Sequence, residues 1–203
     1  MQTAYQVYVV SDSVDVLIKA INDGARTIQL RDKSGNTETI RTKAIKLVCY
    51  KNQKDFTFIL NDDPSLAVEV GADGVHIGQD FPTKKAREII GPNRILGKST
   101  HSLKQGLAAQ AERVDYISVG PLFPTPTKPG RPAVGLEYVR LAAANIKIPF
   151  VVIGGIDLTN VDEVIKAGAK WIGVVRAADQ VPQLLKILIP LPLGEGGSLK
   201  VSG

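Results

Sequence analysis

The sequence predicts one (β/α)8 TIM barrel of the α/β class over residues 1–189. Three features of the 203-residue chain carry that prediction. Short runs rich in apolar and β-branched residues recur along it. Longer segments with helical spacing of apolar residues lie between them. Charged and polar residues gather just after the short runs rather than before them. Near-continuous apolar strands joined through helices make a parallel sheet covered on its outer face, and eight such units close into a barrel somewhat below the usual size. An open doubly wound sheet is the alternative, although it needs fewer strands than this chain offers.

Taken in order, residues 7–10 form the first strand and end in Ser11-Asp12. A helix follows over residues 14–22, where Val14, Leu17, Ile18 and Ile21 mark one buried face by their i, i+3, i+4, i+7 spacing. The second strand, 27–30, breaks into Arg31-Asp32-Lys33 and precedes a helix at 37–50. The third, 56–60, runs into Asn61-Asp62-Asp63. Pro64 suits the first turn of a helix at 64–70, and Asp63 is better placed than Asp62 to cap it. Residues 74–77 are the fourth strand, continuing through Gly78-Gln79 to Asp80 before a helix at 83–90. The fifth, 94–97, leads to Lys98-Ser99-Thr100-His101-Ser102 and a helix at 103–112. The sixth, 116–119, opens a long loop from Gly120 to Lys128, stiffened by Pro121, Pro124, Pro126, Pro129 and Pro132, before a helix at 136–144. The seventh, 150–153, ends in Gly154-Gly155, with a helix at 160–167. The eighth, 171–175, ends in Arg176, with a helix at 179–189. Gly24, Gly71 and Gly168 sit just past helix ends, where a left-handed residue releases the chain into the next strand. Residues 190–203 carry no usable period and read as a disordered tail, dispensable for function.

Composition narrows the function classes. Hydrophobic residues at 44% support a sizeable core, and 22% charged residues are ordinary for a soluble protein. No apolar run approaches the roughly 20 residues of a membrane span, and the N-terminus lacks the pattern of a signal peptide, so the expected location is cytoplasmic. Cys49, the one cysteine, lies in a helical pattern and reads as a buried thiol in a reducing compartment. The net charge of +5 is spread over several helices with only 5% aromatics, which argues against nucleic acid and suits small phosphorylated substrates. A homo-oligomer is compatible with all of this. His76 is expected to pack in or near the barrel and His101 to lie on its rim. Neither forms a Ser/His/Asp arrangement or a zinc pattern.

Active sites of such barrels lie at the C-terminal ends of the strands. Arg31 and Lys33 at one strand end neutralise phosphate oxygens, while Asp62 and Asp80 at the next two are spaced to hold one Mg²⁺. Gly154-Gly155 forms a phosphate cradle of backbone N–H groups, with Arg176 adding a formal charge beside it. Thr125, Thr127 and Lys128 offer two hydroxyls and an ammonium from the sixth loop, with Gly130 a candidate hinge.

The segments QLRDK (29–33), LNDD (60–63), ADGVHIGQD (72–80), GKSTHS (97–102), GPLFPTPTK (120–128) and VVIGGI (151–156) together resemble the thiamine-phosphate synthase/TenI superfamily over nearly the whole barrel. The resemblance implies a transferase that joins hydroxymethylpyrimidine diphosphate to thiazole phosphate (or its carboxylated form). Diphosphate departs first, and the thiazole nitrogen captures the pyrimidine-stabilised cation. It further implies Gln29 and Ser99 against the pyrimidine, and Arg31, Lys33, Asn61 and Lys128 on the diphosphate, with Arg31, Lys33 and Lys128 catalytic. Asp62 and Asp80 would hold Mg²⁺, and Thr125, Thr127, Gly155, Val175 and Arg176 the thiazole phosphate. Three features depart from the synthase pattern: a single acid at Asp80 before Phe81-Pro82, Arg176 after Val175, and the segment 128–136, which together with the ending 174–177 is more similar to TenI-like thiazole tautomerases. Lys98 before Ser99 is also unusual for a synthase. A non-catalytic barrel that binds a phosphorylated ligand is the third reading.

Overall fold

The computed structural model describes residues 6–126, 130 and 132–189. Eight parallel strands close into a barrel in chain order. They are β1 (Gln6–Ser11), β2 (Thr27–Leu30), β3 (Thr57–Asn61), β4 (Gly74–Ile77), β5 (Ile95–Thr100), β6 (Tyr116–Val119), β7 (Phe150–Ile153) and β8 (Trp171–Val174). The helices are α1 (Val14–Asn22), α2 (Thr37–Tyr50), α3 (Pro64–Glu69), α4 (Thr83–Ile90), α5 (Leu103–Ala111), α6 (Gly135–Asn145), α7 (Val161–Lys166) and α8 (Val181–Leu188). Because β1 pairs with both β2 and β8, the sheet has no edge, and the open doubly wound alternative is excluded.

Alternation along each strand divides the interior into two cores. Val7, Val9, Ile28, Leu30, Phe58, Leu60, Val75, Ile77, Ile117, Val119, Ile172 and Val174 point outward and pack with the inner faces of the helices. The residues between them point inward. Tyr8, Val10, Ile59, Tyr116 and Val151 form a smaller core inside the barrel, flanked by Ile95, Ile153, Trp171 and Val175. Above it the inward positions turn polar, with Gln29, His76 and Ser118 all buried.

Glycine at position 97 makes this polar layer possible. His76, Gly97 and Tyr116 are register partners on β4, β5 and β6. A Cβ on residue 97 would stand 2.2 Å from the Tyr116 ring and 2.5 Å from His76 Nδ1. With no side chain between them, the two residues meet over the glycine at 2.9 Å.

Several boundaries differ from the expected ones. β5 extends through Lys98, Ser99 and Thr100, which pair with Ile117, Ser118 and Val119. Polar residues read as a loop are held in the ladder by a neighbour far away in sequence. Lys98 points outward, where its ammonium binds Thr83 Oγ1 (2.7 Å) and Glu112 Oε2 (2.8 Å). The last helix begins as a 3₁₀ turn at Ala178–Gln180, and α8 starts at Val181 with Pro182 in its first turn, where a missing N–H leaves no bond unmade. Cys49 is exposed, not buried. α2 buries Ala44 and Leu47, with Ile40 and Val48 half-buried against the same core, and the next position along turns toward solvent. Gly24, Gly71 and Gly168 do adopt positive φ (107°, 76° and 107°), and Asp63 caps α3 by accepting from Leu66 N at 2.9 Å. The tail at 190–203 lies outside the described residues.

Replacing Gly97 with alanine is expected to force His76 and Tyr116 apart and to lower stability by about 2 kcal/mol, within the usual cost of overpacking. Urea unfolding measures this, and a midpoint equal to that of the wild type would show that the glycine is not required there.

Candidate active site

A cavity of ≈ 480 Å³ opens at the C-terminal ends of the strands and draws residues from all of β1 to β8 or the turns after them. Its floor is a chain of hydrogen bonds. Gln29 Nε2 donates to the Tyr8 hydroxyl (2.8 Å), Tyr8 and Tyr116 share a hydrogen bond (2.8 Å), and Tyr116 meets His76 Nδ1 (2.9 Å). His76 Nε2 lies 3.0 Å from Ser99 Oγ and 3.3 Å from Ser118 Oγ. One direction satisfies the whole chain: Tyr8 donates to Tyr116, Tyr116 donates to Nδ1, and the proton on Nε2 serves the serines. Burial pushes the ionisation of both tyrosines well above the usual phenol range, so both hydroxyls keep their protons.

Across the barrel, β7 ends in the Gly154-Gly155 turn. Both residues have positive φ (111° and 71°), and both are pressed against the β6 loop. A Cβ on Gly154 would come within 2.6 Å of Pro121 Cα, and one on Gly155 within 2.9 Å of Phe123 Cβ. Leu122 N and Phe123 N donate to the carbonyls of Ile153 and Gly154, each at 3.0 Å, and Asn160 Nδ2 donates to Gly155 O at 2.8 Å. Thr125, Val175 and Arg176 border the same end of the cavity. Asp157 also lines it, and its carboxyl is held below the usual range by the Thr159 hydroxyl and backbone N–H, with the Arg176 charge adding to the effect.

The opposite rim is charged. Arg31 and Asn61 line the cavity. Lys33 and Asp62 form an ion pair in a neighbouring depression of ≈ 460 Å³ that also borders Asn61. Asp62 has φ of 66°, a left-handed conformation uncommon for a non-glycine residue, with its N–H bonded to His76 O at 2.8 Å. Asp32 borders the depression, but its carboxylate is engaged by the protein: it pairs with Lys43 (2.6 Å) and accepts from Ser34 N (2.8 Å), bracing the turn between Arg31 and Lys33. Asp80 is exposed and folds back over Gly78, its Oδ1 only 2.3 Å from where a Cβ on that residue would stand.

Of the residues singled out from sequence, Gln29, Arg31, Asn61, Ser99, Thr125, Gly155, Val175 and Arg176 line one cavity. Lys33 and Asp62 border the adjacent depression, and Asp80 lines neither. Thr127 and Lys128 lie outside the described residues. Among the described residues no group of three or more His, Cys, Asp or Glu side chains is arranged to hold a metal. Two carboxylates still suit Mg²⁺, which takes one or two from protein and completes its shell with phosphate oxygens and water. Sequence reasoning passed over Tyr8, Tyr116 and Ser118, which read as ordinary strand residues. Only the inward-facing placement of their hydroxyls on β1 and β6 distinguishes them. His76 was expected in the barrel and is there, as part of the floor. His101, expected on the rim, is partly buried and hydrogen-bonded through Nδ1 to Gly120 O at the start of the β6 loop.

A sequence profile of a family described as thiamine monophosphate synthase matches residues 4–178. The chain is 44% identical over 172 residues to a thiamine-phosphate synthase of Thermus thermophilus, covering 84% of this chain and 82% of that one. It is 41% identical over 187 residues to a thiamine-phosphate synthase of Thermosynechococcus vestitus, but spans only 53% of that longer relative. Among solved structures, a thiamine phosphate pyrophosphorylase from Pyrococcus furiosus superposes with a TM-score of 0.81 at 31% identity, covering 91% of this chain and 97% of that one. A 3-hexulose-6-phosphate synthase, at 16% identity and a TM-score of 0.62, shares the fold alone.

The Asp32–Lys43 pair gives a pH signature. Hydrogen bonding to Lys43, and to Ser34, lowers the Asp32 pKa from 3.8 to about 2. A depressed carboxylate stabilises the folded state fully above its unfolded pKa and loses that contribution as pH falls through the folded one. The stability gap between wild type and Asp32→Asn is therefore expected to be constant above about pH 5 and to shrink from pH 4 toward pH 2. Chemical unfolding at pH 6 and pH 2.5 tests it; equal gaps at the two values would remove Asp32 as the titrating group.

Proposed function

The chain belongs to the thiamine monophosphate synthase (TMP-TENI) family, and on that premise we propose that it is a thiamine-phosphate synthase, a cytoplasmic transferase of thiamine biosynthesis. It condenses hydroxymethylpyrimidine diphosphate with thiazole phosphate and releases diphosphate; from the carboxylated form of the thiazole, carbon dioxide leaves as well. The observation that carries the reading is a single cavity with an amide-and-hydroxyl floor on one side, a glycine cradle on the other, and Arg31 and Asn61 at its edge.

In this reading the pyrimidine lies against Gln29 and Ser99, both oriented by the Tyr8–Tyr116–His76 chain. Arg31, Lys33 and Asn61, with Lys128, hold the diphosphate. The bond between the pyrimidine methylene and the diphosphate oxygen breaks, and its electron pair leaves on the diphosphate. The thiazole nitrogen then donates its lone pair to the methylene carbon. Thr125, Gly155 and the backbone at Val175 and Arg176 keep the thiazole phosphate seated, which fixes the nitrogen's approach. Asp62 and Asp80 would hold Mg²⁺, whose contribution is to neutralise charge on the leaving diphosphate. Charge stabilisation and positioning account for the catalysis, and no side-chain nucleophile is required.

A TenI-like tautomerase needs a general acid–base directed at its substrate. Both ring nitrogens of His76, the one histidine lining the cavity among the described residues, already face Tyr116 and Ser99. That favours a positioning role for this histidine and hence the synthase.

Purified protein supplied with both substrates and Mg²⁺ is expected to form thiamine phosphate by mass spectrometry, and EDTA is expected to abolish it. Thiamine phosphate formed in the presence of EDTA would remove the Mg²⁺ requirement, whereas no product from folded protein that still binds thiazole phosphate would transfer the assignment to a tautomerase or a binding protein. Asp62→Asn is expected to lower kcat by about 100-fold or more while thiazole phosphate binding stays within about twofold of wild type. Unchanged turnover would take Asp62 out of the metal site.

A further inference from the structure

We propose that the depression beside the main cavity is the port through which diphosphate leaves, and that Lys85 on α4 is the side chain that receives it. The proposal rests on the synthase reading for the identity of the anion. Its structural basis is separate.

The two spaces meet at Asn61, which lines both. Beyond it the depression runs between the loops after β2 and β3 and the helix α4, lined by Lys33 and Asp62 on the loop side and by Phe81, Lys85 and Ile89 on the α4 side. An anion released near Asn61 therefore has two directions. One leads across the barrel to the Gly154-Gly155 cradle, where a second phosphate is bound during the reaction. The other leads outward past Lys33.

The charges of the outward path are distributed unevenly. Asp32 is tied to Lys43, Asp63 is spent as the cap of α3, and Asp62 is paired with Lys33. Lys84, the neighbour of Lys85, stands by Glu88. Lys85 is exposed and enters no ion pair among the described residues. It is thus an uncompensated cation on the α4 side of the depression, across from the loops that carry the Lys33–Asp62 pair. The depression also holds carboxylates, so it suits diphosphate accompanied by a divalent cation better than the bare anion. An ammonium fits this task because it is a compact point charge on a flexible stem, able to attract an anion without locking it in place.

The test is calorimetric titration of the full chain with magnesium pyrophosphate, for wild type, Lys85→Gln and Lys85→Arg. Removing one exposed charge is expected to weaken binding about fivefold and to flatten its salt dependence, while Lys85→Arg stays near wild type. In the thiamine phosphate assay, product inhibition by magnesium pyrophosphate is expected to weaken by the same factor in Lys85→Gln, with the KM for thiazole phosphate unchanged. Equal affinities in wild type and Lys85→Gln, or no binding to wild type, would overturn the port. Lys85-dependent binding by a protein that makes no thiamine phosphate would retain the port and overturn the synthase reading. Turnover with binding indifferent to Lys85 would do the reverse.

Discussion

The hydrogen bond between His76 and Tyr116 ties the fold to the site. It spans β4 to β6 across a strand whose facing residue is glycine, so two ring systems come within a 5.4 Å centroid separation where a methyl group would separate them. From Tyr116 the chain continues to Tyr8 and Gln29, and from His76 to Ser99 and Ser118. Inward-facing polar groups on five strands thereby satisfy one another where they are largely buried. A half-satisfied network there would cost more than an apolar core. The same bonds that make the polar layer tolerable also hold Gln29 and Ser99 in one orientation each, so the floor of the cavity is built before any ligand arrives.

The opposite wall depends on close approach rather than on hydrogen-bonded side chains. Gly154 and Gly155 are pressed against the β6 loop so tightly that any Cβ would collide with Pro121 or Phe123. The carbonyls of Ile153 and Gly154 take N–H groups from that loop. Thr125 therefore sits on a segment anchored to the cradle it faces. Stiffness supplied by prolines and anchorage supplied by the glycine turn act on the same loop, which limits the ordering entropy that ligand binding would otherwise cost.

Between these walls the charged rim separates support from chemistry. Asp32 and Asp63 face the protein, one bracing a turn and the other capping a helix. Asp62 stands between them in chain order but occupies a left-handed backbone conformation, with an exposed carboxylate opposed by Lys33. Strain of this kind persists where surrounding bonds over-determine the backbone, here the Asp62 N–H to His76 O contact. The floor network and the rim are thus joined at His76, whose side chain orders the first and whose carbonyl holds the second.

Much of the barrel was legible in the sequence, because the period of apolar residues reports burial directly. Eight strand runs, eight helical faces and the polar strand ends all follow from local order. So do the cap at Asp63 and the left-handed glycines after three helices. The strand ends also exposed most of the residues that line the cavity, since charge just after a buried parallel strand stands at the open mouth of the barrel. Other features depended on partners remote in sequence. β5 continues through Lys98 and Thr100 because β6 pairs with it, and Cys49 faces solvent because α2 is rotated to bury Ala44 and Leu47. Tyr8 and Tyr116 join the site because the closed ring brings two hydroxyls 108 positions apart to 2.8 Å. Periodicity along a chain specifies which face of an element is buried. Which polar atoms meet on that face is decided by register and closure, because a hydrogen bond requires an atom-to-atom distance that no local pattern encodes.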